Sequence, residues 1–583
     1  MHRLLRQIRI ALCLAACCVL LPMLILSAKA IGTVDELPDE SVVKYGITVG
    51  GVPVTEKNCA DIFGNGQAVF SPENDLLTIR GGEIGGAPVQ AGEENAGMYS
   101  LWSARENLQV VLEGNIRFSY GIYLTSGNIT IRSASLTFLG LSGGGTYITL
   151  DKGALSVTVG SVVQGNGLTG VTGACFTAED ILIEDSTVSL SDGGAVQRTI
   201  GACISAKSSL KILNSRVSYN AFYTACETFL YAGGTVQIKD SGVSYNALTT
   251  ECETFLHAGG SLQIANGDID ARNVRVFILV DQGKTSVSDN SKVVCSRCYH
   301  GMKLWGDVEL RDSVFNITSY YSGILLNPFG DTVFRSQSCN LTLVSPSFEE
   351  LQRDVLIPDW EKRTEELSER YGSRAAYLSE CYRDYQRAVE TVDHSGFYAN
   401  NSDMEFSSGH LYVSGYLAGI FFRSRGRTLT FQDGCTLTFK DCRGAAFIAL
   451  TDSTEAVSFG SRVTGDAVSV ILPAEEVLGD YGKYVVTLTD PNTTLTVRDP
   501  AKIGTPQKVL EAYSGFAGSV EITVDEFHIS SIAWPLVILL LASGAAAIVY
   551  FAFRRFWGKS REANTALPSG GDGEPKGGAS DES

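Results

Sequence analysis

The feature that most constrains this chain is internal repetition between Thr199 and Ile269. Ser205–Val217 (SAKSSLKILNSRV), Tyr231–Val243 (YAGGTVQIKDSGV) and His257–Ile269 (HAGGSLQIANGDI) align with a step of 26 residues. A fixed period of a few tens of residues marks a stacked-repeat architecture. The core of each unit is an apolar–x–apolar pair with a third apolar residue five places on. It recurs as Ile129/Ile131/Leu136, Leu155/Val157/Val162, Ile181/Ile183/Val188, Leu210/Ile212/Val217, Val236/Ile238/Val243 and Leu262/Ile264/Ile269. Looser copies follow at Val287/Val293, Val308/Leu310/Phe315 and around Val333.

This alternation describes short strands with one buried face. Asp185-Ser186, Asn214-Ser215, Asp240-Ser241 and Asn266-Gly267 between them are turn chemistry. Short strands, tight turns and no helix within the unit lead to an all-β fold, a right-handed parallel β-helix with coils of about 26 residues. Successive coils then rise by about 4.8 Å and like positions form ladders. The column Asp185/Asn214/Asp240/Asn266/Asp312 is read as side chains serving the turns, with a metal site as the alternative. Leucine-rich repeats share the period but need a Leu/Asn consensus that is absent, and an array of β-sandwiches is the second fold considered.

The two ends give an address. Arg3, Arg6 and Arg9 precede an apolar run from Ile10 to Leu26 and the tripeptide Ala28-Lys29-Ala30, the pattern of a signal peptide over residues 1–30. An uncleaved anchor and lipidation at Cys17 are alternatives. Ile532–Phe553 is 22 residues without a charge, about 33 Å as a helix and enough for one transmembrane span over 531–553. Arg554, Arg555, Lys559 and Arg561 place the tail 554–583 in the cytoplasm. The expected location is the cell membrane, with 31–530 extracellular. A net charge of −18 argues against a nucleic-acid partner. Fourteen cysteines less Cys13, Cys17 and Cys18 leave eleven beyond the signal, an odd and scattered set better read as buried thiols than as a disulfide framework.

Residues 31–125 form an opening module and the first coils, 126–345 the main repeats, and 393–530 a continuation with a membrane-proximal β cap. The pattern GITVGGVPVT…DI.G.G…P…N.LTI within 44–80, followed by LQVVLEGNIRFSYGIYLTSGNITI at Leu108–Ile131, resembles the start of large β-helical surface proteins of Gram-positive gut bacteria. That resemblance covers roughly the first third of the chain. It implies the fold of pectin-lyase-like and carbohydrate-binding β-helices and an adhesin-like role, and brings no catalytic residue with it.

Between 346 and 392 the pattern turns helical. Ser347 and Glu350 have capping-box spacing, Pro358 interrupts, Asp359 caps a second helix that Gly372 ends, and a third runs over 373–391 with an apolar stripe. Such an insertion is either a brace on the solenoid or an arm for a protein partner.

The strands Glu227–Ala232 and Glu253–Ala258 offer the candidate site. Strict alternation turns Leu230, Ala232, Leu256 and Ala258 inward, which sends Glu227, Phe229, Tyr231, Glu253, Phe255 and His257 outward. Aromatic faces beside carboxylates suit a sugar ring, and two carboxylates one coil apart match the spacing of a retaining glycosidase, about 5 Å. The plain alternative is a solvated pair of duplicated glutamates. Cys295-x-x-Cys298-x-His300 has metal-like spacing with only three local ligands. No phosphate-binding loop, dinucleotide motif or catalytic triad spacing is present, so no cofactor, metal or catalytic residue is assigned. The expected function is a membrane-anchored extracellular binding or adhesion protein whose partner is a polysaccharide or surface glycan. A polysaccharide lyase or glycoside hydrolase on the same scaffold is one alternative, and a structural surface protein with a protein partner is another.

Overall fold

The computed structural model describes residues 42–523 apart from short segments, among them 90–96, 140–145, 167–173, 192–197, 222–223, 248–251, 327–331, 390–393 and several beyond 424. The signal segment, the 531–553 span and the tail lie outside the described residues. Among those described, no helix is long and apolar enough to cross a membrane.

The chain folds as one large, mostly parallel sheet wound into a β-solenoid. Each full coil contributes three strands. Arg216–Ala221, Thr224–Ala232 and Val236–Lys239 pair in parallel with Gly242–Ala247, Cys252–Ala258 and Leu262–Ala265 of the next coil. All three pairings are offset by 26 residues, so the sequence repeat is the coil. The column Ile129, Leu155, Ile181, Leu210, Val236, Leu262 runs in register through the stack, and all six are buried. Since each coil closes its apolar side only against its neighbours, the stack is the folding unit.

Two turn ladders hold the register. Asp185, Asn214, Asp240, Asn266 and Asp312 all adopt the left-handed conformation, with φ of 45–50°, which Asn and Asp tolerate better than other side chains. Their backbone N–H groups donate to the following coil, for example Asn214 to Lys239 O at 2.9 Å. Their side chains bond in pairs, Asn214 Nδ2 to Asp185 Oδ1 at 2.6 Å and Asn266 Nδ2 to Asp240 Oδ1 at 2.8 Å. After all but Asn266, which Gly267 follows, the next residue is a buried serine. Ser215 Oγ donates to Leu213 O at 2.6 Å and accepts the Ser186 N–H at 3.0 Å, while Ser241 Oγ does the same for Lys239 O and the Ser215 N–H. Among the described residues no cluster of three metal-ligating side chains forms.

Two register expectations shift by one. Val163, not Val162, pairs with Leu136 and Val188 and is buried, because its turn holds two left-handed residues, Val159 and Gly160, where neighbouring coils have one. Near the far end Phe334, not Val333, joins the inward column through its pairing with Val308.

Parallel stacking begins at Leu76–Ile84 against Leu108–Phe118, and antiparallel pairs at 44–55 and 87–103 lie at its start. Beyond the helices the solenoid continues: Ser395–Asn400 pairs with Val314–Leu326, and Ser402–Ser414 with Thr332–Val344. Antiparallel pairs at 483–523 follow at its far end.

The helical insertion begins with the capping box between Ser347 and Glu350, both of whose hydrogen bonds form. Pro358 does not break the helix. A π-helical turn, Gln352–Leu356, precedes it, and the Ile357 N–H reaches Gln352 O five residues back. That wider turn accommodates the ring and the missing N–H that would strain a regular one. Gly372 ends the next helix at φ 76° and Arg374–Val389 is the last. Leu351, Leu356, Trp360, Leu367 and Tyr377 form a small core of their own, closed against Tyr320 and Tyr321 of the solenoid.

Candidate functional site

The six residues singled out from the sequence divide in two. Phe229 and Phe255 are fully buried, which corrects the outward assignment. Between these strands the ladder pairs Cys226 with Cys252, Thr228 with Thr254 and Leu230 with Leu256, passing over Glu227 and Phe229. Side-chain parity resets there, since Phe229 and Leu230 are consecutive and both face the core. Phe229 then packs on Tyr219 and Tyr245, and Phe255 on Phe277. The same column changes to glycine at Gly301, Gly323 and Gly396, where a Cβ would meet the next coil's carbonyl oxygen at 2.2–2.7 Å.

Glu227 and Glu253 are exposed, and Tyr231 and His257 half-buried. Glu253 pairs with Arg275 at 3.3 Å across solvent, and His257 Nε2 lies 2.7 Å from Asp281 Oδ2 with its ring edge-on to Tyr231. Glu253, Tyr231 and His257 are thus engaged with neighbours along the stack.

A larger recess lies on another face. The column Asn220–Asn246–Arg272–Ser296 runs in register over four coils, and Thr318 and Val344 extend it over two more. These residues, with Ser244, Asp270, Arg297 and Tyr320, line a groove of about 890 Å³. Pro346 and Glu350 at the root of the helical insertion form part of its wall. Six coils at a rise of about 4.8 Å make the groove about 24 Å long. Its volume lies in the range of ligand sites, and its lining is mostly polar: amides, hydroxyls, two guanidinium groups and two carboxylates. Asn273 and Arg297 occupy equivalent positions at the corner beside it, both left-handed at φ 58° and 65°. Asn tolerates that region, whereas arginine is strained in it. The sequence carries no signal for this groove, because its column mixes Asn, Arg, Ser, Thr and Val.

Two further constellations bear on chemistry. His394 Nε2 lies 2.9 Å from Ser345 Oγ, both buried, which resembles a nucleophile–base pair. His394 Nδ1 however accepts the Leu417 N–H at 2.8 Å, which fixes the proton on Nε2 as a donor to Ser345. The imidazole is in the wrong tautomer to take a serine proton, and the pair ties the insertion's two ends together. Cys295 and Cys298 are buried, while His300 turns to Ser322, Nδ1 to Oγ 2.9 Å, so the three do not converge on a metal. Burial pushes the His300 pKa down to about 3, helped by Lys303 and Arg275.

Compared with known proteins, the chain matches no family model, no curated protein and no solved structure.

Proposed function

We propose that this chain is a cell-surface, membrane-anchored binding protein whose right-handed parallel β-helix takes a glycan, without catalysis, in the groove floored by Asn220, Asn246, Arg272, Ser296 and Thr318. The right hand follows from the strong preference of parallel crossovers for that winding. The anchor is the uncharged segment Ile532–Phe553, and export rests on the signal-like start.

The observation that carries the reading is the in-register polar column itself. It repeats amide, hydroxyl and guanidinium groups at the coil rise, a spacing comparable with the advance of one pyranose ring along a polysaccharide. Amides and hydroxyls both donate and accept, as sugar hydroxyls require. The outward patch of Glu227, Tyr231, Glu253 and His257 is the second location, and its partners Arg275 and Asp281 make it the less available one.

The test is retention of the detergent-solubilised chain on a panel of immobilised polysaccharides, with released reducing sugar measured in the same tubes. Retention without release supports a non-catalytic binder, release favours a polysaccharide-active enzyme, and neither outcome favours a protein partner at the helical insertion.

A further inference from the structure

We infer that the solenoid core is a site of covalent cross-linking, with two inter-coil disulfides, Cys175–Cys203 and Cys226–Cys252, formed as the coils wind in an oxidising compartment. Four sulfurs lie in one continuous chain through three coil-to-coil steps. Cys226 and Cys252 are paired in register, and their Sγ atoms stand 2.9 Å apart, inside the sum of two sulfur radii. Cys175 and Cys203 precede the paired residues Phe176 and Ile204 in the same way. The Cys203 thiol has both Cys175 and Cys226 as interacting neighbours.

Neighbouring strands hold their Cα atoms about 4.8 Å apart, within the range of about 4.4–6.8 Å that a disulfide spans. Closing a bond from 2.9 Å requires the sulfurs to approach by less than about 1 Å. Only one pairing uses all four thiols: a Cys203–Cys226 bond strands Cys175 and Cys252 at opposite ends. Each bond then closes a loop of one coil, 28 residues from 175 to 203 and 26 from 226 to 252, and fixes coil register covalently.

The chemistry needs an oxidant, which is a disulfide-donating thiol oxidant of the exporting compartment. One cysteine thiolate attacks the donor disulfide and releases one donor thiol. The second cysteine thiolate attacks the mixed disulfide and releases the other. Two protons and two electrons leave the cysteine pair, and the donor disulfide is reduced to two thiols. All four side chains are at most 1% exposed, so a fully wound coil denies the donor access and the bonds form during winding. This inference draws on the proposed export and is independent of any ligand.

Arg198, Lys207 and Lys239 place the four cysteines in separate tryptic peptides. The full-length chain is exported to an oxidising periplasm, denatured in detergent with an alkylating agent, and mapped without reduction by mass spectrometry. The expected result is two linked peptide pairs, 175 with 203 and 226 with 252, that separate on reduction. In Cys252→Ser the Cys175–Cys203 link persists and Cys226 is alkylated. Recovery of all four cysteines as alkylated thiols from the exported wild-type chain overturns the inference, as does a dominant Cys203–Cys226 link. Failure of glycan binding leaves this result unaffected.

Discussion

Phe229 lies against Phe255 of the next coil, ring centroids 5.6 Å apart, and both are closed from solvent. The pair belongs to a run of aromatic rings, Tyr219, Phe229, Tyr245, Phe255 and Phe277, that fills one corner of the solenoid. Truncating a ring there leaves a void between rigid coils that cannot collapse. Phe255→Ala is expected to destabilise the fold by about 3–5 kcal/mol, read as a lower denaturant midpoint. An unchanged midpoint would show that the ring is not in the core.

The turn ladder gives a second expectation, in which replacements at one site differ in size. Asn214 sits at φ 45°, so Asn214→Val is expected to cost about 1–2 kcal/mol through left-handed strain, whereas Asn214→Gly is nearly neutral. Equal losses in both variants would place the energy in the Asn214–Asp185 hydrogen bond instead of the backbone.

Beside it, Ser215→Ala removes the acceptor of the buried Ser186 N–H. Leaving that donor unpaired costs about 1–3 kcal/mol. Ser215→Cys, which keeps a weak acceptor, is expected to lose less, and urea melts of the two variants compare them directly.

These elements mark how far the sequence could be read. The coil length, the Asp and Asn turns and the capping box at Ser347 all follow from local patterns that repeat or match a known turn. The misplaced inward residues have one cause: a single-residue change of parity leaves composition untouched. An extra turn residue moved the inward position from Val162 to Val163, and a parity change before Phe229 and again before Phe255 turned both rings inward. The groove was illegible for a different reason. Its floor is assembled across six coils from unlike residues, and only the register brings Asn220, Asn246 and Arg272 into line.

Acid sensitivity follows from His300, which packs on Tyr321 under the helical insertion. Its pKa in the fold is about 3, lowered by burial and by Lys303 and Arg275, against about 6.5 in the unfolded chain. Between those values the unfolded chain binds the extra proton. The fold therefore keeps its full stability from this group above about pH 6.5 and loses it as pH falls toward 3. At pH 5 the loss is about 2 kcal/mol. His300→Gln is expected to flatten the stability slope between pH 6.5 and 5 relative to the wild type, measured by denaturation at each pH. Parallel slopes would contradict the half-buried, neutral imidazole.

The most direct test of the binding account compares two double variants on whichever polysaccharide retains the wild-type chain. Asn246→Ala with Arg272→Ala strips two adjacent steps of the groove floor, while Glu227→Gln with Glu253→Gln alters only the outward glutamates. Both pairs are exposed on the surface and leave the core intact. The account expects the dissociation constant of the groove variant to rise at least tenfold, and that of the glutamate variant to stay within about twofold of the wild type. Unchanged affinity in the groove variant, with affinity lost in the glutamate variant, would contradict it and return the site to the face first read from the sequence.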